Sequence, residues 1–80
     1  MGDGFSIYRG CGEDLKFLYS ARTMEEIWDF FQEYIKEKGI IMSYRRMWRR
    51  PTDESVLVID YGLYTDFFYI KAENGQRIEI

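Results

Sequence analysis

Between Thr23 and Gly39 the sequence TMEEIWDFFQEYIKEKG repeats apolar residues at spacings of three and four. It is the one stretch long and periodic enough to specify an amphipathic helix. Met24, Ile27, Trp28, Phe31, Tyr34 and Ile35 form the apolar stripe, and Phe30 falls to one side of it. Thr23 is placed to cap the first turn, and Glu26 three residues later completes a capping box. Glu25 and Glu26 sit near the positive end of the helix dipole. Lys36 and Lys38 precede Gly39, which occupies the position of a left-handed cap.

Everything around this helix reads as short strands. Phe5–Arg9 and Leu15–Ser20 alternate and are expected to form a hairpin with a four- or five-residue loop through Gly10–Asp14. On the second of these strands, Leu15, Phe17 and Tyr19 share one parity. Ile40–Arg50 is expected to be extended, with Ile40, Met42, Tyr44, Arg46 and Trp48 facing the helix and a bulge near Arg45 and Arg46 resetting the parity. Pro51–Glu54 is a turn, and Ser55–Tyr61, nearly all apolar, is the expected centre of the sheet. Leu63–Ala72 carries bulky residues on both faces. Asn74-Gly75 signals a hairpin with positive φ at both turn positions, after which Arg77–Ile80 returns as an edge strand. The reading is a single α+β domain in the order β-β-α-β-β-β-β. It has a mostly antiparallel sheet of five to six short strands and one helix on one face. One helix covers one side, so Tyr61, Leu63, Phe67 and Tyr69 are expected on an uncovered face, where contiguous apolar area marks a contact surface.

Eighty residues make a thin core, which the six Phe, seven Tyr and two Trp help to fill. No run of about twenty apolar residues is present, so no membrane span is expected. The first ten residues lack the basic-then-apolar order of a secretory signal. Gly2 and Ser6 match a myristoylation pattern formally, but Asp3 and the strand-like context argue against it. The single cysteine fits a reducing cytoplasm.

Histidine is absent, which removes the commonest general base, the Ser-His and Cys-His pairs and most zinc sites. Cys11 lies between two glycines in a turn, with Arg9 the nearest candidate activator. No enzyme activity, cofactor or metal is expected. The net charge of −3 is segregated: residues 45–50 carry four arginines and no acid, and the segments on either side are acidic.

Three segments are candidates for function. The first is Tyr44-Arg45-Arg46-Met47-Trp48-Arg49-Arg50. Arginine forks suit phosphates, and Tyr or Trp rings stack on bases. On a strand, Arg45 and Arg49 project the same way, roughly 13 Å apart. The plainer reading pairs these arginines with neighbouring-strand acids such as Glu54, Asp60 and Asp66. The second is Asp60–Tyr69, including Tyr61, Tyr64, Phe67 and Tyr69. Its aromatic and glycine spacing resembles in part the base-stacking strand of RNA-recognition motifs. It lacks that signature's leading basic residue and second glycine, and the element order differs, so it reads as sheet core. Asp60 and Asp66 alone are a weak metal signal. The third is the acidic helix face of Glu25, Glu26, Asp29, Glu33 and Glu37, either solvated or offered to a basic groove.

The expectation that follows is a non-enzymatic binding protein, an inhibitor or adaptor docking onto a larger protein partner. In size and texture the chain resembles the small, acidic, aromatic-rich proteins of phages and mobile elements. The alternative is a nucleotide or single-stranded nucleic-acid binder acting through Arg45–Arg50. Under either reading a homodimer is expected, because the bare face or the edge strand would pair with its own copy.

Overall fold

The computed structural model describes residues 4–42, 45–63 and 66–79. Strands β1 (Phe5–Cys11) and β2 (Asp14–Ala21) are followed by helix α1 (Met24–Lys38). Strands β3 (Arg46–Arg50), β4 (Asp53–Asp60) and β5 (Phe67–Ala72) complete the order. All pairings are antiparallel, and the sheet order is β2-β1-β5-β4-β3. The fold is the expected α+β sandwich of one helix on one sheet, with α1 against β1 and β2.

The helix forms where its sequence places it. Thr23 takes an extended N-cap conformation, accepts from the Glu26 amide, and its own amide donates to the Glu26 carboxylate. Gly39 closes the other end at φ 64°, its N–H reaching back to the Ile35 and Lys36 carbonyls. Ile27 and Phe31 on the stripe are fully buried. Phe30, beside the stripe, stacks on Tyr19 of β2 with ring centroids 4.5 Å apart.

The sheet departs from the expected pattern at its turns and bulges. The β1–β2 turn is shorter than expected: Cys11 pairs with Asp14, leaving two residues, Gly12 and Glu13, in the loop. Gly12, at φ 63°, takes the glycine-first position of a tight hairpin turn. Gly10 lies at φ 152°, and a Cβ there would stand 2.0 Å from the Asp14 carbonyl oxygen. A bulge at Leu18 then splits the parity expected for β2. Ile7 pairs with Tyr19 on the helix side, whereas Tyr8 pairs with Phe17 on the other side. Strand β3 starts at Arg46 without the expected bulge, and the register shift of this pair lies between Arg49 and Arg50, where Glu54, Ser55 and Val56 of β4 are the unmatched residues. Paired with Ile59, Met47 packs toward the helix-side core; paired with Val58, Trp48 packs on the far face with Val56 and Val58.

The third segment is shorter than expected, because residues 40–42 precede the strand without joining the ladder. Ile40 and Met42 still pack against the core. The middle strand is β5, flanked by β1 and β4, rather than the Ser55–Tyr61 segment, although β4 is interior too. The expected return strand at Arg77–Ile80 is absent among the described residues; Ile80 lies outside them. Asn74 keeps negative φ and only Gly75 goes positive, at 79°, so the primed turn does not form. The chain instead crosses over the end of the sheet. Ile78 donates its N–H to the Glu54 carbonyl at 3.0 Å, accepts from the Arg49 guanidinium at 3.1 Å, and buries its side chain in the main core. This crossing shields apolar sheet surface that α1, lying over β1 and β2, leaves uncovered.

Two measurements test this account. Thr23→Ala removes a cap and lowers unfolding free energy by about 1 kcal/mol in urea titration. Gly10→Ala meets backbone, so it costs more than Gly39→Ala, which has open space and costs about 1–2 kcal/mol for left-handed φ alone.

Candidate functional site

The pleat gives the sheet two unlike sides. The helix side holds Ile7, Leu57, Ile59, Phe68 and Ile70 with Ile27 and Phe31. The other side carries no secondary-structure layer among the described residues. There, one cross-strand row runs through all five strands: Phe17 opposite Tyr8, Tyr8 opposite Tyr69, Tyr69 opposite Val58, and Val58 opposite Trp48. Val56, Val58 and Tyr69 at its centre are buried by their neighbours, and Tyr8, Trp48 and Phe67 are half-buried around them. The β2 end is bare: Phe17 is 54% and Leu15 37% exposed. Tyr8 and Phe17 meet edge to face at 5.7 Å, and Phe67 meets Tyr69 at 6.3 Å.

Each arginine of the basic segment follows its parity. On the open face, Arg46 reaches Asp60 at 3.5 Å and lies 5.4 Å from the Trp48 ring. Arg50 lies 5.3 Å from the centre of the Tyr69 ring. On the helix side, Arg45 approaches the Trp28 ring at 6.0 Å, and Arg49 is tied to the Ile78 carbonyl. The segment therefore serves both faces of the sheet and does not converge on one ligand. Of the acids expected to pair with it, only Asp60 does so through a described ion pair. Glu54 takes Arg77, and Asp66 takes Arg9. Asp60 and Asp66 fall on opposite sides of the sheet through these partners, so they share no site. Among the described residues, no group of three or more acids or cysteines is arranged for a metal ion.

Tyr61 is the main correction to the expected open face. It is 2% exposed, packs on Phe68 at 5.4 Å and belongs to the helix-side core. Strand β4 ends at Asp60, so the alternation does not carry through Tyr61. Its hydroxyl donates to the Asp66 carboxylate in a short hydrogen bond. Asp66 also accepts from Arg9 Nε at 2.8 Å, and another Arg9 nitrogen donates to the Tyr34 hydroxyl at 3.1 Å. Burial and then the Asp66 carboxylate push the Tyr61 phenol up to about 12. Burial works against the Arg9 charge, but the hydrogen bonds to Tyr34 and Asp66 outweigh it and raise its pKa. This cluster fastens the segment after β4 to β1 and the helix. Leu63 is exposed, and Tyr44 and Tyr64 lie outside the described residues.

Tyr8, Leu15, Phe17, Val56, Val58 and Lys71 join this face without having been singled out in the sequence. Tyr8 was legible, since its parity opposes that of Phe5 and Ile7. Phe17 was not, because the Leu18 bulge moves it away from Tyr19. At one end of the face, Tyr8, Leu15, Arg50, Asp53, Val56, Tyr69 and Lys71 line a depression of about 210 Å³. Asp53 there accepts from the Ser55 hydroxyl and amide, which hold its carboxyl below the usual range. The exposed acidic side chains Glu26, Asp29 and Glu33 edge a different, shallow hollow with Tyr19 and Phe30.

The raised Tyr61 pKa has a signed consequence. The unfolded chain loses this proton near pH 10 and the folded chain near 12, so the stabilisation is complete below pH 10 and lost between 10 and 12. The urea midpoint is expected to fall through that window, and Tyr61→Phe is expected to flatten the fall.

No family model, curated protein or solved structure matches this chain.

Proposed function

We propose that this chain is a non-enzymatic binding protein, an inhibitor or adaptor that docks the open face of its sheet onto a larger protein. The observation that carries the reading is the five-strand row Phe17–Tyr8–Tyr69–Val58–Trp48, with nothing laid across it among the described residues. Rings that are half-buried in the monomer lose their remaining water on association, and aromatic anchors dominate the energetics of protein interfaces. The charged groups near the row are of both signs, Arg46, Arg50 and Lys71 with Asp53 and Asp60. A mixed polar rim around an apolar centre is the usual anatomy of a protein interface.

A photo-crosslinking residue in place of Phe17 is expected to give one discrete, heavier adduct in the source cell. The same residue in place of Glu33, on the exposed helix face, is expected to give none. Equal labelling from both positions, or none from position 17, counts against docking through this face. An adduct of twice the 9.7 kDa chain mass identifies a second copy as the occupant.

Single-stranded nucleic acid on the same face is the second reading, favoured by the rings themselves, on which bases stack. The split arginines weigh against it, because a polyanion gains most from cations aligned along its path. The docking reading expects no tight binding of a labelled oligothymidylate at physiological salt. A Kd below about 10 µM that weakens steeply with salt and is lost in Arg46→Gln/Arg50→Gln favours nucleic acid instead.

A further inference from the structure

The depression at the Arg50 end of the open face has a chemistry that narrows the partner. We propose that it is an anchor pocket for an acidic segment of the docked protein, taking one apolar side chain with a carboxylate beside it. This inference rests on the docking reading and specifies its chemistry. The pocket holds about 210 Å³, below the roughly 300 Å³ at which pockets for drug-sized ligands begin. Its size therefore suits a single side chain. Its floor is apolar, with Val56 5% and Tyr69 8% exposed, and Tyr8 and Leu15 form a wall.

Its rim is cationic. Arg50 and Lys71 both line the pocket, and among the described residues neither forms an ion pair. Arg50 rests on the Tyr69 ring, a contact that leaves its edge N–H donors open to an oxygen ligand. Lys71 lies directly across the sheet from Val56 and Ser6. Two carboxylates are nearby. Asp53 lines the pocket, but its Oδ1 is occupied by the Ser55 amide and hydroxyl. Glu73, beyond the strand end, accepts from Ser6. The lining carries two cations against one carboxylate, Asp53, whose charge acts on both of them, so the balance of the pocket is positive by one. The chain's net charge of −3 does not prevent this, because screening at physiological salt confines the field to about 8 Å. An acidic segment gains from Arg50 and Lys71 at contact, and a basic one meets them as like charges.

The test uses the full chain labelled with ¹⁵N and two blocked tetrapeptides. One has leucine and phenylalanine between two glutamates; the other has lysines in place of the glutamates. The glutamate peptide is expected to shift the amides of Tyr8, Val56, Tyr69 and Lys71, with the lysine peptide at least about tenfold weaker. The pair Arg50→Gln with Lys71→Gln is expected to abolish the shifts. Arg22→Gln with Lys36→Gln removes the same charge from exposed positions elsewhere and is expected to leave them intact. Equal shifts from both peptides, no shifts, shifts that survive in the Arg50/Lys71 variant, or shifts reproduced by inorganic phosphate each overturn the proposal. Folding of every variant is checked by its amide spectrum. If crosslinking from position 17 persists while the peptide test fails, the docking reading stands and only the acidic-partner assignment falls. If both fail, the face is not a docking surface.

Discussion

One helix is narrower than the sheet it must cover, and most of this architecture answers that mismatch. A helix with its side chains is about 10–12 Å across, whereas five strands at their usual spacing span roughly 19 Å between outer axes. Helix α1 lies over β1 and β2, and the Ile78 crossing shields core surface beyond its reach. That crossing consumes the C-terminal residues that would otherwise form a sixth strand. Among the described residues no element covers the second face. Its shelter comes from its own side chains, with Tyr8, Trp48 and Phe67 crowding around Val56, Val58 and Tyr69. The result is a face that is buried at its centre and unfinished at the β2 end.

Electrostatics follow the same pleat. Alternation sends Arg45 and Arg49 to the helix side, where they approach Trp28 and the Ile78 carbonyl. It sends Arg46 and Arg50 to the open face, onto Trp48 and Tyr69. A cluster that looks like one site in the linear sequence is therefore divided in space. The polar network of Arg9 with Asp66, Tyr34 and Tyr61 draws on none of these four arginines. It holds the segment after β4 against β1 and the helix, which is a structural task.

What could be read from the residues was whatever short-range physics decides. The capping box at Thr23 and Glu26, the left-handed Gly39 and the Ile27–Phe31 stripe are set within a few residues of one another, and all three stand as expected. The three hairpins β1–β2, β3–β4 and β4–β5 were legible for the same reason. The side each ring faces was not. A bulge adds one residue and inverts everything beyond it, and nothing in LKFLYS marks the residue that bulges. The shift at Leu18 sent Phe17 to the open face, whereas Trp48 lies there through its unshifted pairing with Val58. Tyr61 failed differently, because its strand ended one residue before it and alternation stopped applying.

The sequence by itself determined that this would be an α+β domain with one capped amphipathic helix, more apolar strand surface than that helix could hide, and a concentrated basic segment. The tertiary structure alone decided that β1 pairs with β5, some sixty residues away, and so joins the two halves of the chain into one sheet. That pairing brings Tyr8 beside Tyr69 and makes two separate half-rows into the continuous line from Phe17 to Trp48. The physical reason is that backbone hydrogen bonds between strands are blind to side-chain identity. Which edges meet is settled only when the helix-side core, with Ile7 facing Ile70 across that junction, closes around them.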